Sequence, residues 1–148
     1  MNDFDDVETL LVEDSKHDAE MTMRALKKGN FLNKVFWVQD GVEALEFLRC
    51  EGDFKSRDPQ QLPKLILLDL KMPRLDGLDV LRELKKDART RAIPVVAMTS
   101  SNHTRDITAS YRLGANGYVV KPVQFGAFVE TVAQIGMFWL CVNRTEVT

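Results

Sequence analysis

The sequence predicts an α/β domain with a doubly wound, five-stranded parallel sheet in the order 2-1-3-4-5. Three observations carry that expectation. Short β-rich runs recur down the chain, segments of helical period separate them, and charged or hydroxyl side chains stand just beyond the carboxyl ends of the runs. Strands covered on both faces read as unbroken apolar runs, and strands separated by helical crossovers close into right-handed βαβ units.

The first strand, Thr9 to Val12, stops at the carboxylate pair Glu13-Asp14. Ala19, Met23 and Leu26 then share one helical face, and Gly29 can end that helix. The second strand is Val35 to Val38, followed by a helix lined by Val42, Leu45 and Leu48. Glu51 to Pro63 has no apolar period and contains Gly52, Pro59 and Pro63, so it reads as a long polar loop. The third strand, Leu65 to Leu70, carries Asp69 at the end of its apolar run, and Leu78, Leu81 and Leu84 line a helix entered after Gly77. Val95 to Met98 leads into Thr99; a weakly amphipathic helix over Thr104 to Leu113 follows and ends at Gly114. Gly117 to Val120 is the fifth strand, with Lys121-Pro122 at its end. The last helix runs from Gln124 through Phe125, Phe128, Val132, Ile135 and Trp139.

A chain of 148 residues fits one domain over 1–148 with a single core, and neither a linker nor an output domain is visible after the last helix. The balance of 20 Lys+Arg against 22 Asp+Glu, without a basic block, argues against nucleic-acid binding. Cys50 and Cys141 match no metal-ligand spacing and suit reduced thiols. The acidic start (Asp3, Asp5, Asp6) lacks the features of a signal peptide and reads as flexible, and the apolar stretch Ile135 to Val142 is too short to span a bilayer. A cytoplasmic protein with no membrane association is expected. His17 and His103 read as solvated surface residues.

The predicted order puts strands one and three side by side at the topological switch point, where ligands bind beyond the carboxyl ends. Glu13, Asp14 and Asp69 then converge. Two unit charges about 4 Å apart repel by roughly 4 kcal/mol at an effective dielectric near 20, so such a cluster calls for a cation. Oxygen-only ligands point to a hard ion, and Mg²⁺ suits few carboxylates and several waters. Thr99 and Lys121 fall on the same edge, which together suggests phosphoryl chemistry. The competing local explanation is that Glu13-Asp14 and Asp69 merely cap the helices that follow.

With these residues in place, the stretches LLVEDS, LILLDLKMPRLDG, VVAMTSS and GYVVKP resemble the receiver domain of two-component response regulators, over roughly residues 7 to 135. The resemblance implies the flavodoxin-like receiver fold. It also implies Asp69 as phosphoacceptor, Asp14 as a direct Mg²⁺ ligand, Glu13 acting through a metal-bound water, and the Lys71 carbonyl as a further ligand. Lys121 and Thr99 would contact the phosphoryl oxygens, Thr99 and Tyr118 would form the conformational switch, and the Lys121-Pro122 bond would be cis. Pro73 would shape the turn beside the acceptor. The output surface would be helix four, strand five and helix five. The donor would be a sensor histidine kinase, and the output a downstream protein or phosphotransfer domain. Lys71 and Ser101 occupy positions that tune phosphate loss in the family, and neither can orient water as a carboxylate or amide would, so slow loss is expected. The run Ile135 to Val142 is apolar around the whole helix, which suggests either a homodimer contact around Phe138 and Trp139 or a helix end folded back on its own core. With the long polar loop, this tail is similar to stand-alone regulators that serve phytochrome-type kinases.

Other functions fit less well. A flavin site would place its phosphate against Glu13-Asp14, which repel it; a haloacid-dehalogenase-like phosphatase would need a second Asp where Lys71 stands. The alternative within the family is a degenerate receiver that only docks partners.

Overall fold

A computed structural model describes residues 6–29 and 34–143; Asp3 and Asp5 of the acidic start lie outside them. The chain alternates β1 (Thr9–Val12), α1 (Lys16–Lys28), β2 (Val35–Val38), α2 (Gly41–Arg49), β3 (Leu65–Leu68), α3 (Gly77–Lys86), β4 (Val95–Thr99), α4 (Thr104–Arg112), β5 (Gly117–Val120) and α5 (Phe125–Gly136). All strand pairs are parallel, in the order β2-β1-β3-β4-β5.

The pleat of the central strands divides the core. Leu10, Val12, Ile66, Leu68 and Val95 point to the face covered by α2 and α3, while Leu11, Leu65, Leu67, Val96 and Met98 meet Leu26 of α1 and Phe128 and Val132 of α5. Every residue of β1, β3 and β4 is buried, which is why these strands show no alternation in sequence. β3 is two residues shorter than expected. The Leu70 carbonyl accepts from the Gly77 amide at 3.0 Å, so the chain has turned away from the sheet by Leu70.

Ser15, Asp40 and Asp76 cap α1, α2 and α3, each accepting from the amide three residues on at 3.2, 2.9 and 2.9 Å. Glu13, Asp14 and Asp69 are therefore not the N-caps, and the capping explanation for them fails. In α3 the buried side chain beside Leu81 and Leu84 is Val80, with Leu78 only half-buried.

The segment 51–63 is not the featureless polar loop its composition suggests. It opens with a short 3₁₀ turn, Gly52–Phe54, whose Phe54 is buried edge-on against Phe47 and Phe36 at 5.2 and 5.8 Å. Arg57 is buried with its guanidinium 3.9 Å above the Phe47 ring, and donates to the Phe47 and Gln61 carbonyls. Arg89 ties Leu48 to Pro59 by donating to both carbonyls, at 2.6 and 2.8 Å. Single anchors of this kind leave no period to read.

Beyond α5 the helix continues as a π-helical turn, Met137–Val142. Phe125 to Val142 thus forms one helix of 18 residues, long and apolar enough to cross a membrane by length and composition, longer than the octet Ile135 to Val142 singled out in the sequence. Phe128, Val132 and Ile135 face the core, and Trp139 and Leu140 pack back onto it; Met137, Phe138 and Val142 stay exposed. The two dimer candidates thus part, Trp139 half-buried and Phe138 exposed. His17 and His103 are exposed, as expected.

Candidate functional site

Register builds the site. Val12 pairs with Leu68, so the next residues, Glu13 and Asp69, emerge side by side; Thr99 pairs with Val120, so Lys121 follows directly at the same edge. The Glu13 amide donates to Val38 at 3.1 Å, the Asp69 amide to Val12 at 3.0 Å and the Lys121 amide to Thr99 at 2.8 Å, which carries the sheet ladder into the site. The Trp37 indole donates to the Glu13 carbonyl at 2.7 Å and fixes the end of β1. On the other side Gly77 lies so near the acceptor that a Cβ there would stand 2.3 Å from the Asp69 carbonyl oxygen and 2.6 Å from the Leu70 Cα. Only glycine permits that approach.

Carboxylate oxygens of Glu13, Asp14 and Asp69 lie within 4.8 Å of one another, with Glu13 and Asp69 buried and Asp14 exposed. The Lys121 ammonium sits 2.6 Å from Glu13, 2.8 Å from Asp18 and 3.4 Å from Asp69. Three carboxylates thus face one ammonium and Asp14 adds a fourth to the pocket, three negative charges in excess if all ionise. Burial, and then the hydrogen bond shared with Asp69, push the Glu13 carboxyl up to about 8 against the opposing pull of Lys121. Burial alone would lower Lys121, but the carboxylates of Asp18 and Glu13 outweigh it and hold the ammonium charged well above its ordinary range. An oxygen-only pocket with surplus negative charge fits a hard divalent cation.

Lys121 reaches the pocket through a trans Lys121-Pro122 bond, contrary to the expected cis form; among the described residues every peptide bond is trans. Trans is intrinsically favoured by about 0.5–1 kcal/mol at X-Pro, and the lysine stem spans the distance without the cis turn. Pro73 does shape the turn after the acceptor: its carbonyl accepts from the Leu75 amide at 2.8 Å. The left-handed residue there is Arg74, whose guanidinium pairs with Asp40 at 2.6 Å.

Thr99 is fully buried, and its hydroxyl accepts from the Ser101 amide at 3.4 Å. The half-buried Tyr118 donates its hydroxyl to the Ser101 carbonyl at 2.8 Å. Burial raises the Tyr118 phenol above its usual range, with Asp106 and Asp69 adding to the rise and the Ser101 contact opposing it. The Lys71 amide donates to Asp69 at 3.2 Å, and its ammonium lies 3.6 Å from Asp106. Sequence reasoning missed Asp18 and Asp106. The Ser15-x-x-Asp18 spacing could have placed Asp18 in the first turn of α1, facing the site; nothing in the polar stretch around Asp106 marks it as buried.

The family model for the response regulator receiver domain matches residues 9–133. A probable methanogenesis regulatory protein, FilR2 of Methanothrix harundinacea, is 40% identical over 137 residues, covering 92% of this chain and 85% of its own. Response regulator Rcp1 of Synechocystis is 38% identical over 131 residues, covering 88% and 87%, and a crystal structure of its Mn²⁺-bound form superposes with a TM-score of 0.86 at 35% identity over 94% and 98%. The phosphorylated cyanobacterial phytochrome response regulator RcpA superposes with a TM-score of 0.87 at 37% identity over 94% of this chain and 97% of that one. These proteins share their fold with this chain, which belongs to the response regulator receiver domain family.

Proposed function

We propose that the chain is a phosphorylation-driven switch: Asp69 accepts a phosphoryl group from a phosphohistidine of a sensor histidine kinase, and the change is read by a partner protein or passed on in a relay. The observation that carries this reading is the meeting of Glu13, Asp14 and Asp69 oxygens within 4.8 Å, with the Lys121 ammonium 3.4 Å from Asp69. Glu13, Asp14, Asp69 and the Lys71 carbonyl would hold Mg²⁺, with Glu13 acting through water. When bound, the cation neutralises charge on the acceptor and on the phosphoryl oxygens.

The rest falls to side chains of the protein. Asp69 forms the new phosphorus–oxygen bond as the donor's phosphorus–nitrogen bond breaks, and the histidine keeps that electron pair and takes up a proton. Lys121 serves as a point charge on one phosphoryl oxygen, and the Thr99 hydroxyl as a donor to another. Thr99 would then abandon the Ser101 amide, and the Tyr118 contact to Ser101 would be free to rearrange. A hydrogen bond to a charged group contributes about 1.5–3 kcal/mol, and moving a population from 1:99 to 99:1 needs about 5.5 kcal/mol. Thr99 and Lys121 together nearly supply it.

The affected surface is α4, β5 and α5. A phytochrome-type kinase is the partner to test first, since the similar solved structures include a cyanobacterial phytochrome response regulator and two bacteriophytochrome response regulators. Lys71 and Ser101 offer no water-orienting group, so the phosphoryl should be lost slowly; replacing Ser101 with Glu and finding an unchanged decay would count against this. Phe138, with Met137 and Val142, offers apolar contact to a second copy, and Trp139 supports it from the core side. The free thiols Cys50 and Cys141 suit a reducing cytoplasm. The test is incubation with Mg²⁺ and acetyl phosphate, followed by mass and oligomeric state. One hydroxylamine-labile phosphoryl group per chain is expected, and no gain in mass would leave only a docking module.

A further inference from the structure

Among the helices α4 is unusual in what it buries. Its inward residues are Asp106 and Ser110, where the other helices bury mostly apolar side chains. Asp106 is 5% exposed. A carboxylate in such a place is retained only with partners, and here they come from two loops. The Ser101 hydroxyl donates to it from the β4–α4 loop, and the Lys71 ammonium faces it at 3.6 Å from the β3–α3 loop. The Ser101 hydroxyl, followed by Lys71, holds the Asp106 carboxyl below its usual range, against burial. Lys71 meanwhile donates its own amide to Asp69, so one residue touches the acceptor with its main chain and α4 with its side chain.

We propose that Asp106 is a positioning residue that parks the Lys71 ammonium against the start of α4, and that Lys71 transfers to the phosphoryl group when Asp69 carries one. This rests on Asp69 being the phosphoacceptor. Lys71 has the means to move: its side chain is 62% exposed, on a flexible four-carbon stem whose root is already fixed beside Asp69. A phosphoryl group brings three strong acceptor oxygens and more negative charge than the single carboxylate of Asp106 offers. Transfer cuts the tie between the β3–α3 loop and α4, and leaves Asp106 with Ser101 alone. Because the Ser101 carbonyl also accepts from Tyr118, the release is felt at β5 as well.

Reciprocity supplies the test: if phosphorylation opens the clasp, breaking the clasp must favour the phosphorylated state. The probe is trifluoroberyllate with Mg²⁺, which mimics a phosphoryl group on a carboxylate. Its binding is followed by fluorescence of Trp37, which touches Glu13, in a Trp139→Phe background. Asp106→Asn keeps an acceptor for Ser101 but loses the charge that holds Lys71. It should tighten the analogue at least about fivefold, the lower end of ordinary coupling between sites, and the gain should vanish when Lys71→Met is added. Simple damage to the fold would weaken binding, the opposite sign. Unchanged or weaker binding by a folded Asp106→Asn protein, or a gain that survives Lys71→Met, overturns the proposal. Should Asp106→Asn fail to fold, Lys71→Met alone decides, because it must weaken the analogue several-fold and an unchanged affinity overturns the clasp. A wild-type protein that ignores the analogue overturns the phosphoacceptor reading and the clasp with it, whereas the other negative results overturn the clasp alone.

Discussion

Gly77→Ala is expected to damage both stability and phosphoryl acceptance, although alanine is the better helix former. The added methyl would stand 2.3 Å from the Asp69 carbonyl oxygen and 2.6 Å from the Leu70 Cα, both backbone atoms that cannot rotate away. Relief requires the start of α3 and the end of β3 to separate by about 1 Å, since carbon and other heavy atoms rest near 3.5 Å or more apart. Overpacking of this kind costs about 1–3 kcal/mol, and straining the 3.0 Å bond from the Gly77 amide to the Leu70 carbonyl adds about 1 kcal/mol. Alanine recovers at most about 1 kcal/mol of helix propensity, so the net loss is about 1–3 kcal/mol. At a urea m-value of about 1–3 kcal/mol/M the midpoint should fall by roughly 1 M. The same separation moves Asp69 against Glu13 and Lys121, and misplacement by about 1 Å can cost on the order of 10²-fold in rate. Urea unfolding and the rate of phosphorylation by acetyl phosphate are the paired assays. Gly126→Ala is the control of opposite sign: nothing lies within 4 Å of its added methyl, and it should stabilise by about 0.5–1 kcal/mol. A Gly77→Ala protein with the wild-type midpoint and rate would refute the claim that backbone contact at this glycine sets the acceptor's position.

Three further outcomes follow from the packing and the charges. Phe54→Ala, which removes a buried ring from the Phe36–Phe47 cluster, should destabilise by about 3–5 kcal/mol in denaturant titration, whereas a true surface loop would lose almost nothing. Asp40 is pulled below its ordinary 3.8, against the opposing effect of burial, by the Glu43 amide and the Arg74 guanidinium. Its contribution to stability is present above 3.8 and fades as pH falls through the lower folded value; Asp40→Asn, which still caps α2, should therefore flatten the acid limb of a Tm-versus-pH curve below about pH 4. Lys121→Met should leave three carboxylates without their ammonium, lower stability in the absence of divalent cation, and strengthen the stabilising effect of added Mg²⁺, a Tm comparison with and without the metal being the check.

The parts readable from sequence were those governed by local pattern. Buried parallel strands announce themselves as apolar runs, and their ends, once the sheet order is inferred, place Glu13, Asp14, Asp69, Thr99 and Lys121 at one edge. The partners that tune those residues were not readable, because they depend on side chains meeting across unrelated segments. Asp18 reaches Lys121 from α1, Arg57 stacks on Phe47 across a turn, and Asp106 collects Ser101 and Lys71 from two loops. The cis bond expected at Lys121-Pro122 failed for a related reason, since the lysine already reaches the acidic pocket from a trans peptide. The apolar tail left a fold back onto the core and an exposed contact both open: it holds a core-facing side and an exposed one, which a run of apolar letters cannot separate.

The central claim is that one carboxylate, Asp69, captures the phosphoryl group. Treating the protein with acetyl phosphate and Mg²⁺, trapping the acyl phosphate by borohydride reduction and mapping the peptide by mass spectrometry tests it directly. Modification confined to residue 69 and absent from Asp69→Asn is the predicted result; trapping at another carboxylate, or equal labelling of the variant, would contradict it.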